Sequence, residues 1–401
     1  MSENIPKGWK WVKVGEIVFI NSKNLTPNYP YDEIYYLDTG SVAEGRLISS
    51  YKKFYLNEAP SRAKRIVNDG DIVYSLVRPI QRHYGIIKNP PDNLIVSTGF
   101  AVITADNNKA ENRFIYYYLT LDEIVDYLDS IAESSTTTYP SIVPDDLKNL
   151  IILLPPLPEQ KAIAEVLSSI DDKIDLLHRQ NKTLEEMAMT LFRQWFIEPT
   201  KDGLPEGWEE VKIGDVLDVV LGGTPSTRVA EYWNGDIPWI NSGEINNFRI
   251  IKATKYITES GLRNSNTKLM PKGTTVLAIT GATLGKVSLL EIDTCANQSV
   301  VGIVPNDIFP KEYIYLWIKY KIDEIILNET GGAQPHINQN DVRNTVIIKP
   351  IKEYLNERNK KLKNIFSKIT NNVFQIQTLE KLRDTLLPKL MSGEVRVMKK
   401  K

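Results

Sequence analysis

The stretch IPKGWKWVKVG at residues 5–15 returns as LPEGWEEVKIG at residues 204–214, so Trp208 follows Trp9 by 199 positions. Further on, YPSIVPDDLKNLII at 139–152 returns as QPHINQNDVRNTVII at 334–348, with an offset of 195. A repeat this long exceeds the roughly 20 to 50 residues of a solenoid unit. Each copy is therefore expected to be a domain with its own connecting element, and pseudo-two-fold symmetry suits a two-fold partner, of which duplex DNA is the commonest.

The composition excludes several classes of protein. A length of 401 residues indicates two to three domains, and 42% hydrophobic with 25% charged residues is typical of globular chains. The single cysteine, Cys295, allows no disulfide within the chain, and neither a signal core nor a membrane span is visible. We expect a soluble cytoplasmic protein. A net charge of −1 confines any nucleic-acid surface to a local patch.

Each copy begins with a mixed α+β region. In copy one, the β-like runs GDIVYSLV at 70–77 and NLIVSTGFAVIT at 93–104 precede one amphipathic stretch at 113–131. Copy two repeats this order with GTTVLAIT at 273–280, CANQSVVGIVP at 295–305 and an amphipathic stretch at 312–327. The shared order extends the duplication into regions of low identity.

Each copy ends in a segment with heptad periodicity. The prolines of LPPLPEQ allow a helix only from about Leu157 or Pro158. Copy one then has apolar residues at steps of three and four, interrupted by Asn181, and copy two has a similar stripe that contains Asn372. The seam residues are Ile163, Leu167, Ile170, Ile174, Leu177, Leu184, Ala188, Leu191 and Trp195 in copy one, and Leu355, Leu362, Ile365, Ile369, Ile376, Leu379, Leu386 and Leu390 in copy two.

Each helix should have about 35 to 40 residues and a length of roughly 50 to 60 Å. Because a single apolar stripe needs a partner stripe, we expect the two helices to pair antiparallel around the pseudo-dyad. The alternative is that each helix packs on its own domain. The two seam asparagines either fix the register of the pair or face solvent, and the sequence leaves both possibilities open.

No complete catalytic or metal-binding motif is present. NPPD at 89–92 has Asp92 where an amino-methyltransferase motif has an aromatic residue, so it is interpreted as a proline turn. GATLGKV at 281–287 has the wrong glycine spacing for a phosphate loop. PDDLK at 144–148 is assigned a structural role, and the three histidines lack partners at metal spacing. We expect no cofactor and no metal.

Polar and basic residues cluster instead in loops that interrupt the strands. Arginine can bind guanine, and glutamine can bind adenine, through two hydrogen bonds. A solvated loop is the alternative for these residues. The candidate DNA contacts of copy one are Arg62, Lys64, Arg65, Arg78, Gln81, Arg82 and His83.

Arg78 and Arg82 directly follow the strand at 70–77 and are expected to read bases. Arg62, Lys64 and Arg65 are expected in a less constrained segment and to hold phosphates.

Copy two carries more amides and hydroxyls in the corresponding loops, which indicates that the two copies read different base sequences. Its glycines would allow close backbone approach to DNA, although turn formation explains them equally well. The candidates of copy two are Thr224, Ser226, Arg228, Asn241, Ser242, Asn246, Asn247, Thr280, Thr283, Lys286, Asn297, Gln298 and His336.

The motifs together resemble the specificity subunit of a Type I restriction-modification enzyme, the HsdS family, over essentially the whole chain. The resemblance is carried by GW followed by VK(I/V)G in each half, by GGTP, EYWNGDIPWINSGEI and TGATLGKV with CANQSVV, and above all by LPPLPEQKAIAEVLSSIDDKID at 154–175 with LFRQWF at 191–196. Copy two departs from the pattern at the start of its helix, which reads IIKPIKEYLNERNK at 347–360.

The resemblance implies two target-recognition domains that each read one half of a split, asymmetric DNA sequence, separated by an antiparallel pair of spacer helices. It also implies a non-catalytic chain that binds double-stranded DNA and two modification subunits, which supply S-adenosylmethionine-dependent adenine methylation. Whether two restriction subunits also join is left open. The expected boundaries are 1–153 for the first recognition domain, 154–198 for the first spacer helix, 199–349 for the second recognition domain and 350–401 for the second spacer helix with the tail.

Two other functions remain possible from the sequence. One is a duplicated adaptor whose helices recruit partner proteins without reading DNA. The other is an enzyme with an unrecognised site.

Overall fold

The computed structural model describes residues 5–47, 50–135, 139–327 and 337–397. The chain divides into two compact units. Unit 1 comprises Met1–Lys173 and Leu379–Lys401, and unit 2 comprises Ile174–Thr378. The α+β class predicted from the sequence is confirmed in both units.

Unit 1 is built from short strands, three short helices and parts of two long helices. Its strands are β1 (Lys10–Lys13), β2 (Val18–Ile20), β3 (Glu33–Leu37), β4 (Val42–Ala43), β5 (Arg46–Leu47), β6 (Lys52–Tyr55), β7 (Ala63–Ile66), β8 (Ile72–Ser75), β9 (Tyr84–Ile86), β10 (Leu94–Ser97), β11 (Phe100–Ala105) and β12 (Ile151–Leu154). Its helices are α1 (Asn112–Leu119), α2 (Asp122–Ser134), α3 (Pro144–Asn149) and the first part of α4 (Leu157–Phe192).

Two four-stranded sheets organise unit 1. One sheet is antiparallel, with the order β2-β11-β8-β9, and the other has the order β6-β3-β10-β7 with β3 and β10 parallel. The run predicted at 93–104 is therefore two strands in different sheets, because the chain turns at Thr98 and Gly99. The amphipathic stretch at 113–131 is likewise two helices, α1 and α2, rather than one.

Unit 2 repeats most of these elements. Its strands are β13 (Glu209–Lys212), β14 (Asp218–Leu221), β15 (Trp233–Ile240), β16 (Lys255–Ile257), β17 (Thr275–Ala278), β18 (Val287–Leu289), β19 (Cys295–Ala296), β20 (Val300–Val304) and β21 (Val346–Lys349). Its helices are α5 (Ile213–Val216), α6 (Glu259–Arg263), α7 (Lys311–Leu327), α8 (Gln339–Asn344) and α9 (Lys352–Ser392), whose last turns belong to unit 1.

The two larger sheets of unit 2 match those of unit 1 strand for strand, with one difference, whereas the small β4-β5 sheet of unit 1 has no counterpart among the described strands of unit 2. The antiparallel sheet β14-β20-β17-β18 corresponds to β2-β11-β8-β9. The second sheet, β16-β15-β19, corresponds to β6-β3-β10, including its parallel pair. Among the described residues no strand of unit 2 corresponds to β7, which carries Lys64 and Arg65.

The long helices begin where the prolines end. Helix α4 starts at Leu157, as predicted, and the carbonyl of Pro156 accepts hydrogen bonds from the backbone N–H groups of Glu159 and Gln160 at 2.8 and 3.1 Å. Helices α4 and α9 have 36 and 41 residues, close to the predicted length.

The two helices run antiparallel within each unit. In unit 1, Arg383 bonds Asp171 at 3.1 Å, and Arg396 beyond the helix end bonds Glu159 at 2.7 Å. In unit 2, the amides of Asn181 and Asn372 bond each other at 2.9 Å. The Tyr354 hydroxyl, nearer the start of α9, donates to the carbonyl of Trp195, which lies beyond the end of α4. As the residue numbers rise along α4, those of the partners fall along α9.

The repeated tryptophans anchor the two cores. Trp9 is buried in unit 1, where its indole N–H donates to Glu159 of α4, and Trp208 is buried in unit 2 against Phe196 and Tyr354. The two-stranded sheets β1-β12 and β13-β21 pair the first strand of each copy with the strand that precedes its long helix. No helix within the described ranges is both long and apolar enough to cross a membrane.

Candidate nucleic-acid interface

A β-hairpin in unit 1 carries most of the predicted contacts of copy one. Strand β8 is fully buried, and the turn at 76–83 connects it to β9. The hairpin closes with a bond from Ser75 N–H to the His83 carbonyl at 2.9 Å, and the turn is held by bonds from Leu76 N–H to Gly99 and from Arg78 N–H to Pro140. The backbone of this turn is therefore fixed on both sides.

Unit 2 contains the same hairpin between β17 and β18. Three backbone bonds have direct equivalents there, of 2.9 to 3.0 Å. They run from Ala278 N–H to Lys286 O, from Ile279 N–H to Ser299 O, and from Ile337 N–H to Ile279 O. The equivalents in unit 1 are Ser75 to His83, Leu76 to Gly99, and Ile142 to Leu76. The two hairpins can thus be superimposed residue by residue, with an offset of 203.

The matched turns differ at two strained positions. Arg78 and Arg82 have φ angles of 47° and 54°, and the residues 203 positions later, Gly281 and Gly285, have φ angles of 72° and 80°. This left-handed conformation costs a residue with a side chain roughly 1 to 2 kcal/mol, whereas glycine adopts it freely. Unit 1 therefore keeps arginine at two places where the backbone favours glycine.

Neighbouring side chains orient both arginines. The Arg82 guanidinium forms an ion pair with Asp122 at 2.7 Å. The Asp122 side chain is 82% exposed. Burial lowers the pKa of Arg82, but bonds to Asp122 and to the Tyr84 hydroxyl outweigh it and raise the pKa above its usual value. The Arg78 guanidinium lies 5.9 Å from the ring centre of Tyr139. Sequence reasoning missed Asp122 and Tyr139, since both are distant from the turn in sequence.

The other two predicted residues of this turn differ in environment. Gln81 is exposed, in a short 3-10 helix at the tip. His83 is half-buried, and one ring nitrogen lies within hydrogen-bond distance of the Val42 carbonyl. Gln81 is therefore the more accessible of the two.

The remaining basic residues of copy one lie on or beside β7. The expectation of a loosely constrained segment is wrong for Lys64 and Arg65, because both are in a strand paired with β10. Lys64 is exposed, whereas Arg65 donates to Asn24 at 2.7 Å and burial lowers its pKa. Arg62 is exposed, and its carbonyl accepts a hydrogen bond from the N–H of Thr98. Because Thr98 lies in the turn between β10 and β11, this bond holds Arg62 at the strand ends where the hairpin turn also lies.

The predicted residues of copy two also gather at equivalent strand ends. The Thr224 hydroxyl donates to Gln298 at 2.6 Å, and the N–H of Asn297 donates to the carbonyl of Ile240, beside Asn241. Ser226, Arg228, Lys286 and Gln298 are exposed, and Thr280 and Thr283 are half-buried in the β17–β18 turn.

The segment at 241–247 is partly occupied by its own structure. Asn241 caps a short 3-10 helix, accepting a bond from Gly243 N–H at 2.7 Å, and Ser242 begins that helix. The Asn246 side chain bonds the carbonyl of Gly243, and the Asn247 carbonyl accepts from Ser288. Asn246 and Asn247 are exposed, so they are the more accessible members of this segment.

Close packing within the protein explains the glycines of GGTP. A Cβ atom on Gly222 would lie 2.1 Å from the Asn297 carbonyl oxygen, and one on Gly223 would lie 2.6 Å from the backbone N of Thr267. These two glycines therefore allow the loop to lie against its own domain, which is a sufficient reason for their presence.

The motifs set aside as structural have structural roles. Asp146 of PDDLK accepts a bond from Val143 N–H at the start of α3, and Asp145 pairs with Lys148. Asn89 of NPPD has a φ of 47°, as in a turn. The described part of the chain contains no group of three or more His, Cys, Asp or Glu side chains that could hold a metal. His336 lies outside the described residues.

Comparison with known proteins identifies the family. The model of the Type I restriction modification DNA specificity domain matches residues 6–186 and again residues 205–383. The chain belongs to this family. Both copies of the repeat are thus family domains, as the sequence motifs had indicated.

Relatives of this family align with nearly the whole chain. The Type I restriction enzyme HindI specificity subunit of Haemophilus influenzae is 27% identical over 96% of this chain and 99% of its own length. The MjaIX specificity subunit of Methanocaldococcus jannaschii is 29% identical over 98% of this chain and 95% of its own. The crystal structure of the Type-I restriction-modification system S subunit from M. genitalium shares the fold, with a TM-score of 0.57 and 17% identity over 98% of both chains.

Proposed function

We propose that this chain is the sequence-reading subunit of a Type I restriction-modification complex and recognises a bipartite, asymmetric DNA target. Each recognition domain, over 1–153 and 199–349, would read one half of the target. The helices at 154–198 and 350–401 would connect the readers and bind partner subunits. The family match supports the general role, and the side chains of the two hairpins support the division into two unlike readers.

The observation that carries the proposal is the difference between two hairpins with the same backbone. Strained conformations persist where function requires them, and here the strain falls on two arginines in a basic turn. A guanidinium can bond guanine O6 and N7 together, and the five N–H donors of Arg82 exceed those that Asp122 and Tyr84 engage. Arg78 and Arg82 are therefore the base-reading candidates of unit 1.

Unit 2 would read its half with other groups. Glycine at the two turn positions removes both side chains, so the hydroxyl and amide groups of Thr224, Asn246, Asn247 and Gln298 are the accessible candidates. Amides bind adenine through two hydrogen bonds and hydroxyls bind either base type. Two different half-sites follow from two different sets of groups.

The chemistry would come from partners. Two modification subunits would supply adenine methylation from S-adenosylmethionine, and this chain would contribute DNA specificity and docking surfaces without catalysis of its own, in the cytoplasm. The purified chain should then transfer no methyl group to DNA. Methyl transfer by the chain alone would contradict this division of labour.

Competition binding tests the proposal. The chain, assembled with its modification subunits, is incubated with a labelled pool of random duplexes and unlabelled competitor at rising salt concentration. Salt suppresses nonspecific phosphate binding, so specific duplexes should remain bound and, when sequenced, should share two short conserved blocks with a fixed gap. A pool without any enriched sequence would instead favour an adaptor that does not read DNA.

A further inference from the structure

The seam between α4 and α9 contains one buried pair of asparagines. Asn181 and Asn372 are 3% and 1% exposed, and the Nδ2 of Asn372 donates to the Oδ1 of Asn181 at 2.9 Å. The possibility that these residues face solvent is thereby excluded. Both residues lie in unit 2, as do the apolar seam residues one turn away, Leu177 and Ile376.

Stabilisation of the fold does not by itself explain the buried asparagine pair. The Nδ2 of Asn181 has no hydrogen-bond partner among the described residues. When both partners of a buried hydrogen bond are replaced by apolar groups of the same shape, the stability can stay nearly unchanged or rise. In coiled coils, the best-attested use of a single seam asparagine is the choice of register and partner.

The duplication shows which partners the pair distinguishes. With the helix offset of 195, the counterpart of Asn181 in copy two is Ile376, and the counterpart of Asn372 in copy one is Leu177. Leu177 and Ile376 are buried. Each asparagine therefore faces the other across the seam, while its own counterpart in the other copy is apolar.

This arrangement makes like helices incompatible. If a second α4 replaced α9 in the same register, Leu177 of that second α4 would take the place of Asn372 and face Asn181. If a second α9 replaced α4, Ile376 of that second α9 would face Asn372. In both cases each asparagine would be buried against an aliphatic side chain without its hydrogen bond, which is costly.

We infer that the Asn181–Asn372 pair selects pairing between unlike helices, α4 with α9, over pairing of like helices between two copies of this chain. A duplicated chain needs such a device, because its two helices share a seam pattern and each could otherwise associate with itself. The inference concerns the choice of partner and does not depend on the function proposed above.

A rearrangement of the same side-chain types tests the inference. In the full-length chain, Leu177→Asn with Asn372→Ile places two asparagines on α4 and only aliphatic residues at the corresponding places of α9. Within one chain, both amides then face isoleucines. When two chains pair like helix with like helix, asparagine faces asparagine in the α4 pair and isoleucine faces isoleucine in the α9 pair at these positions. We expect this variant to dimerise at least about tenfold more tightly than the native chain.

A second variant is the matched control. The quadruple change Leu177→Asn, Asn181→Leu, Asn372→Ile and Ile376→Asn moves the asparagine pair to the neighbouring layer and again matches α4 with α9. We expect its molecular mass to equal that of the native chain at every concentration.

The measurement is sedimentation equilibrium of the native chain and both variants, from micromolar to about millimolar protein, since linked segments in one chain compete at an effective concentration of that order. A double variant with twice the 45.6 kDa mass of one chain, beside a quadruple variant that behaves as the native chain, supports the inference. A double variant that stays monomeric, whether folded or unfolded by circular dichroism, would overturn it, as would dimerisation of the quadruple variant.

Discussion

The hairpins β8–β9 and β17–β18 have the same backbone but different side chains at two turn positions. In unit 1 the turn carries Arg78 and Arg82, whereas in unit 2 glycines stand at those two positions, and the polar candidates lie elsewhere in the turn and in neighbouring loops. The same strands thus present different side chains in the two units, which is the difference on which the proposed reading of two unlike half-sites rests. The following predictions test this contrast.

The largest effect is expected in the loops of unit 2. Gly222→Ala should lower the free energy of unfolding by about 3 kcal/mol, because the new Cβ would collide with the backbone of Asn297. Gly281→Ala, where a Cβ meets nothing within 4 Å, should cost only about 1 kcal/mol from its left-handed conformation. Urea denaturation of both variants measures the difference. Equal losses would mean that the loop does not need close backbone contact.

The next effect concerns DNA binding through unit 1. Arg78→Ala or Arg82→Ala should weaken binding of the complex by about 1 to 3 kcal/mol and relax the preference at particular base pairs of one half-site. Lys64→Ala is the control, because this exposed residue on β7 should weaken all sequences alike and lower the salt slope by about one. Binding to duplexes with single base changes distinguishes the two. If both arginine variants lost affinity without a change of base preference, the arginines would not read bases.

Strain in the unit 1 turn provides a smaller effect on stability. Arg78→Gly should be more stable than Arg78→Ala by about 1 kcal/mol, because glycine accepts a φ of 47° without strain while both variants lose the guanidinium. Both should bind DNA equally weakly. Thermal unfolding compares the two variants, and an alanine variant as stable as the glycine variant would mean that the turn is not strained.

The smallest effect is a dependence of stability on acid pH that arises at Trp9, which contacts a carboxylate, and not at its repeat Trp208. The Trp9 indole N–H and the Arg396 guanidinium both donate to the Glu159 carboxylate. The bond from Arg396 lowers the pKa of this carboxyl most, and the bond from Trp9 lowers it further. Burial acts in the opposite direction, but the pKa stays below its usual value. Trp208 instead packs against Phe196 and Tyr354.

A depressed carboxyl pKa gives stability that is present above the unfolded value and is lost as the pH falls through the folded value. Unit 1 should therefore lose stability in acid through this contact, and Glu159→Gln should flatten that part of the pH dependence of the melting temperature. A melting profile that keeps its acid slope in Glu159→Gln would assign the slope to other carboxylates.

The sequence predicted the parts of the structure that depend on periodicity. The heptads located α4 and α9 to within a few residues, because an apolar stripe at steps of three and four has one helical interpretation. The strand before the basic turn was also found, since β8 is a short apolar run bounded by polar residues.

Features that depend on tertiary contacts could not be predicted from the sequence. The strand β7 contains an alternation of Ala63, Lys64, Arg65 and Ile66 that is too polar to be recognised without its partner β10. The left-handed conformation of Arg78 and Arg82 could not be predicted from their residue type, because arginine rarely adopts a positive φ. The assignment of individual residues to bases or phosphates therefore remains a prediction.

Exchange of one reader tests the central claim most directly. Residues 1–150 are replaced by the corresponding domain of a relative, the hybrid is produced with its modification subunits, and methylated adenines are mapped across the host genome. Since separate side chains would read each half-site, one half of the methylated sequence should change while the other half stays as it was. A hybrid in which both halves changed together, or neither did, would contradict two independent readers on one duplicated chain.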